Sequence, residues 1–133
     1  MKNTNGILNA QLSRVIAETG HTDLLVVTDA GLPLPQTVER VDLAILPNFP
    51  HFLDVLRAVL SEVVVEGIVL AEEVKTISPS MHEEILSLFP QNIEVQYVPH
   101  VEFKKKTHSA RATIRSGEFT PYANIILRTG VAY

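Results

Sequence analysis

The chain has 133 residues, 46% of them hydrophobic, no cysteine and a formal net charge of −4, with a mean hydropathy of +0.18. That length suits one domain over residues 1–133, which buries roughly two-thirds of its unfolded surface without disulfide staples. The composition excludes a thiol nucleophile and a disulfide scaffold, and basic residues scattered outside Lys104-Lys105-Lys106 argue against a nucleic-acid or membrane partner. No apolar run approaches the roughly 20 residues of a membrane span, and MKNTNG lacks the apolar stretch of a secretion signal, so a cytoplasmic location is expected. The positive hydropathy points to more apolar surface than a monomer needs, and hence to a homo-oligomer.

Residues 8–19 carry Leu8, Leu12, Val15 and Ile16 at helical spacing, and Gly20 suits the position just past the helix end. Leu24-Leu25-Val26-Val27 is a continuous apolar run between Asp23 and Asp29, the pattern of a strand buried on both faces, with Asp29 at its carboxyl edge. Residues 40–45 read as a further strand, and Pro50 introduces a helix that runs to about Leu60. The Val- and Ile-rich stretch Glu62–Leu70 reads as a strand, Ser78-Pro79-Ser80 opens a helix over 80–89, and Ile93–Tyr97 is a strand followed by a helical segment near 99–107. Ala112–Ile114 and Asn124–Leu127 read as closing strands joined by the polar loop 115–123. Strands alternating with helices predict an α/β fold, a single-domain three-layer sandwich with a predominantly parallel central sheet and helices on both faces.

In open α/β sheets the ligand crevice lies beyond the carboxyl ends of the strands. That rule groups Asp29, Glu72 and the loop after Tyr97, where Pro99-His100 brings an imidazole to the same edge. His21 sits in a loop between the first helix and the first strand, suited either to capping the helix or to transferring protons near neutral pH, and Asp29 could orient it. Asp29 before Ala-Gly is also an ordinary turn former, and His100 suits either a helix start or a ligand. Lys104, one helical turn beyond His100, shares its face. Tyr122 and Asn124 alternate across Ala123, so as the start of a strand they project a phenol and an amide from one face, a good pair for sugar hydroxyls. Arg115 and Glu118 are expected to pair and fix the loop, while Lys105, Lys106, His51, His82 and His108 read as surface or structural residues.

The chain lacks a G-x-S-x-G elbow, the dinucleotide and phosphate-loop glycine fingerprints, and H-E-x-x-H. No metal and no cofactor is expected, which leaves acid/base chemistry at an uncharged polyol, or its binding. Five segments then carry a specific likeness: Gly20-His21-Thr22-Asp23, Asp29-Ala30-Gly31-Leu32-Pro33, Ala71-Glu72-Glu73-Val74-Lys75, His100-Val101-Glu102-Phe103-Lys104, and Arg115 through Leu127. In order and spacing they resemble the D-ribose pyranase family over essentially the whole chain, and more closely than they resemble the related fucose mutarotases. The resemblance implies an enzyme that interconverts the pyranose and furanose forms of D-ribose for ribose utilisation. It further implies a homo-oligomer, a decamer of two stacked pentameric rings with active sites at subunit boundaries. By the same resemblance His21 is the catalytic residue, and Asp29, His100, Lys104, Tyr122 and Asn124 contact the sugar. A mutarotase that exchanges anomers within one ring size, and a ribose-binding accessory protein without turnover, remain the alternatives.

Overall fold

A computed structural model describes residues 1–3 and 5–133. Its strands are β1 (Leu24–Thr28), β2 (Glu39–Asp42), β3 (Val65–Ala71), β4 (Glu94–Val98), β5 (Ala112–Arg115) and β6 (Ile125–Thr129). Its helices are α1 (Ala10–Glu18), α2 (Phe52–Leu60), α3 (Val74–Ile77), α4 (Pro79–Ser87) and α5 (His100–Lys106), the last running into a 3-10 turn at Thr107–Ser109. The strands form one six-stranded sheet in the order β2-β5-β1-β6-β3-β4. β1 and β2 lie parallel to β5, and β3 lies parallel to β4. Only β6 is reversed, running antiparallel to both β1 and β3 between them. Its amino end therefore shares an edge with the carboxyl ends of the other five.

The continuous apolar run of β1 follows from burial on both sides. Leu25 and Val27 face a core built with Leu12 and Val15 of α1, Phe52, Leu56 and Val59 of α2, and Ile85 of α4. Val26 faces the other way, with Ile126, Val98 and Phe103 of α5. The sheet thus has helices on both faces, three main ones on one side and α5 on the other. At the start of α1 the Leu12 N–H donates to the Asn9 side chain at 2.9 Å, satisfying one of the amides a helix start leaves open.

Several boundaries differ from the sequence expectation for local reasons. The strand expected from Glu62 begins at Val65, because the Ser61 and Glu62 N–H groups bond back to the Arg57 and Val59 carbonyls and extend the end of α2. The strand expected over 40–45 ends at Asp42, after which Ile45 and Phe49 close a small loop, the Ile45 N–H donating to the Phe49 carbonyl at 3.0 Å. α3 is an additional turn of helix between β3 and α4. Among the described residues no helix is long and apolar enough to cross a membrane.

Phe103 is the fully buried side chain that α5 inserts against the sheet. Phe103→Ala should destabilise the fold by roughly 3–5 kcal/mol, read as a lower denaturant midpoint; an unchanged midpoint would show that α5 contributes little to the core.

Candidate active site

β1 ends at Thr28 and β6 begins at Ile125, and the residues flanking these ends are locked together. The Asp29 N–H donates to Asn124 Oδ1 at 2.9 Å, and Asn124 Nδ2 donates to Asp29 Oδ2 at 3.1 Å. The second carboxylate oxygen, Oδ1, accepts the N–H groups of Gly31 at 3.0 Å and Leu32 at 2.8 Å. Asn124 is completely buried. Burial pushes the Asp29 carboxyl above the ordinary carboxylate range, while these N–H donors, Asn124 and the nearby His100 act in the opposite direction. The carboxylate is therefore fixed in place and weakly solvated, a suitable acceptor for a sugar hydroxyl.

Across the same edge, α5 starts at His100 because the His100 N–H finds a carboxylate, Glu73, at 3.0 Å. The imidazole packs edge-on against Tyr122, with ring centroids 5.0 Å apart, and stacks near Phe103 at 6.3 Å. Its Nδ1 is buried with no hydrogen-bond partner among the described residues. Burial and the neighbouring Lys104 both lower the pKa of His100, outweighing the pull of Glu73 and Asp29. A neutral ring with Nδ1 as a bare acceptor satisfies these constraints, since protonating Nδ1 would strand a donor. His100 is thereby set up to donate from Nε2.

Tyr122 and Asn124 do not alternate along a strand as expected. Tyr122 has φ 63°, in the left-handed region, and the Asn124 N–H bonds to the Tyr122 carbonyl at 2.9 Å, so the segment is a tight turn and β6 begins only at Ile125. The expected pairing of Arg115 with Glu118 is also corrected. Arg115 donates to Asp42 at 3.1 Å and to the Ala30 carbonyl at 3.0 Å. Glu118, nearly buried, caps α2 through the Phe52 N–H at 3.0 Å and accepts the Thr120 hydroxyl at 2.7 Å, with His51 Nδ1 3.4 Å away. Burial tends to raise the Glu118 carboxyl, but the Thr120, Phe52 and His51 bonds together hold it below the ordinary range. Its own carbonyl accepts the Ala30 N–H at 2.8 Å, joining this loop to the Asp29 turn. Gly117 lies so close to the 46–49 loop that a Cβ would stand 2.6 Å from the Phe49 carbonyl oxygen. Ser78 completes the brace, its hydroxyl donating to the Pro121 carbonyl at 2.7 Å.

A hollow of about 420 Å³ opens beside Asp29, lined also by Ala30, Gly31, Arg115, Glu118 and Phe119. Of the residues the sequence singled out for the sugar, Asp29 lines it, while His100, Tyr122 and Asn124 do not. Glu72, grouped with this edge by the sequence, does follow the end of β3 there, its N–H donating to the Val98 carbonyl at 2.7 Å, and its carboxylate pairs with Lys75 at 3.0 Å. The sequence reading gave Glu73 no role and gave Glu118 the wrong partner; the contact of Glu118 with the buried start of α2, 66 residues away, carries no local signal.

His21 lies elsewhere. It precedes β1, so that strand's five residues, at about 3.3 Å each, separate it from Asp29 within one chain. Asp29 therefore does not orient His21 in the same chain. Its ring instead meets Glu66 at the start of β3, with Nε2 3.0 Å from Oε1.

The sequence pattern of the RbsD / FucU transport protein family matches residues 2–132. The chain belongs to this family. It is 53% identical over 129 residues to the D-ribose pyranase of Geobacillus thermodenitrificans, covering 97% of each chain. It is 49% identical to that of Glaesserella parasuis over 140 aligned residues and 100% of both chains. Bacillus subtilis RbsD complexed with D-ribose superposes with a TM-score of 0.94 at 43% identity over the whole of both chains. The fucose mutarotase of Streptococcus pneumoniae, in complex with L-fucose, shares the fold at a TM-score of 0.78 and 22% identity, again over the whole of both chains.

Because the fold favours neutral His100 while the unfolded chain protonates near the ordinary value of about 6.5, stability should fall as the pH drops below that value toward the folded-state pKa. His100→Gln should flatten this dependence in urea titrations across the same range. A slope as steep as the wild type's would assign it to other groups.

Proposed function

We propose that this chain is a D-ribose pyranase, an isomerase that interconverts the pyranose and furanose forms of D-ribose by opening and reclosing the ring. The observation that carries the reading is the braced carboxyl edge. There, the half-buried Asp29 carboxylate is locked to the buried Asn124 amide, near the His100 imidazole that packs on the Tyr122 phenol. The pyranases of like sequence and the RbsD structure holding D-ribose supply the substrate.

Opening the pyranose takes the proton from the anomeric hydroxyl and gives one to the ring oxygen. The free aldehyde rotates and is attacked by the C4 hydroxyl in place of the C5 hydroxyl, with the proton movements reversed. No carbon changes oxidation state, so the chemistry reduces to placing hydroxyls and moving protons. Asp29 and Asn124 hold hydroxyls, His100 donates from Nε2, and Tyr122 and Lys104 close the sides, keeping the sugar near its reactive geometry. His21 carries the proton.

Because β1 separates His21 from Asp29, this reading requires the imidazole to come from another copy of the chain. Exposed Leu8, Ile45, Leu46, Phe49 and Phe119 favour association, as does an apolar hollow of about 370 Å³ among Leu8, Leu43, Ile45, Phe49 and Val55. The proposed assembly is a homodecamer of two stacked pentameric rings with a site at each subunit boundary, acting in the cytoplasm.

Saturation-transfer proton NMR on D-ribose at equilibrium tests this function. Irradiating the β-pyranose anomeric proton should carry saturation to the β-furanose signal, and His21→Ala should slow that exchange by about 10²-fold or more. Transfer confined to the other pyranose anomer would make the protein a mutarotase, and bound ribose with no transfer would make it a binding protein.

A further inference from the structure

We infer that Glu66 is a positioning residue for His21: its carboxylate holds the imidazole as the Nε2–H tautomer and leaves Nδ1 as the atom that exchanges the proton with the sugar. The inference rests on the reading of His21 as the proton carrier and adds to it the identity of the reacting nitrogen.

Nε2 lies 3.0 Å from Glu66 Oε1 and 3.2 Å from Oε2. An ionised carboxylate only accepts, so Nε2 must be the protonated nitrogen, and the hydrogen bond at one ring nitrogen sets the state of the other. Both side chains are partly exposed, and an exposed pair of this kind contributes little to stability. Its surroundings nevertheless fix it firmly. Glu66 lies against the backbone of Gly130, where a Cβ would stand 2.5 Å from Glu66 Cγ and 2.8 Å from Oε1. The Gly130 N–H is itself tied to the Val64 carbonyl at 2.8 Å. Arg128, whose charge the Glu66 carboxylate also favours, gives its guanidinium to Glu94 at 2.8 Å.

The loop that presents His21 is equally constrained. Thr22, β-branched, has φ 70°, a conformation such residues adopt only when their surroundings impose it. The Thr22 N–H donates to the Thr129 carbonyl at 2.9 Å, the Thr129 hydroxyl to the Gly20 carbonyl at 2.7 Å, and the Gly20 N–H to Asp23 Oδ2 at 2.8 Å. Arg111 Nε clamps that same oxygen at 2.6 Å. Strain stored beside a half-exposed imidazole, and the bonds that maintain it, aim the ring at a fixed direction rather than strengthen the core.

The proton balance closes on one imidazole. Nδ1 accepts the proton of the anomeric hydroxyl, and the resulting imidazolium is stabilised by Glu66, which stays ionised. As the bond from the anomeric carbon to the ring oxygen breaks, Nδ1–H gives the proton to that oxygen, and the ring returns to its starting tautomer.

Long-range proton–nitrogen correlation NMR of the imidazoles, with ring-exchange rates, tests the inference. In the wild type His21 should show a protonated Nε2 and a bare Nδ1. Glu66→Ala should leave a mixture of tautomers and lower the turnover by about 10- to 10²-fold, within what a general acid–base contributes, while ribose affinity stays unchanged. Glu66→Gln, which keeps an acceptor at the same reach, should recover much of the tautomer and part of the rate. Loss of activity in His21→Ala together with wild-type tautomer and turnover in Glu66→Ala would overturn the role of Glu66 alone. Full activity in His21→Ala would overturn the reading of His21, and the role of Glu66 with it.

Discussion

The two-way exchange between Asp29 and Asn124 is the constraint from which the carboxyl edge is built. Each residue gives one hydrogen bond and takes one, across 95 residues of sequence. An amide with no exposed surface needs such partners, because an unpaired buried polar group costs as much as a lost hydrogen bond or more. The exchange has a topological precondition. Only a strand reversed relative to its neighbours brings its start to the edge where the others end, and β6 is that strand. The tight turn at Tyr122 then sets the phenol against the His100 ring, so that two loops and a helix start converge on one patch.

The same reversal places the chain's two polar centres at opposite ends of the sheet. The end of β6 and the start of β1 support the His21 loop through Thr129, while the start of β6 and the end of β1 carry Asn124 and Asp29. One centre is rich in hydrogen-bonding groups and contains an imidazole whose pKa burial and Lys104 lower. The other carries a more exposed imidazole against a carboxylate. In the proposed reading, binding and proton transfer are thus separated within a chain and join between copies. The exposed apolar side chains of the 45–49 loop and Phe119 border the binding edge, where such a joint would cover them.

Much of the fold was legible because burial writes periodicity. The unbroken Leu24–Val27 run signalled a strand covered on both faces, and the helix carrying Leu12 and Val15 showed its spacing clearly. Asp29 and His100 were legible as edge residues from the rule that places ligands beyond strand ends. The position of Lys104 one turn after His100 was legible as well, and its effect on that ring follows. What stayed hidden depends on contacts distant in sequence. The direction of β6 has no local signature, so the Asp29–Asn124 exchange was not readable. Glu118 beside Arg115 looked like half of an ion pair, yet its carboxylate meets the start of α2. Glu66 drew no reading from the sequence, because its contact with His21 spans 45 residues and forms only with β3 paired beyond β6.

The central claim, that opposite sheet edges of two copies make one active site, is tested most directly by co-expressing His21→Ala and Asp29→Ala chains and measuring ribose ring exchange in the mixed assembly. Each variant alone should be inactive, and the mixed assembly should regain activity wherever an intact His21 edge meets an intact Asp29 edge. A mixed assembly no more active than the separate variants would contradict the account, placing the whole site within a single chain.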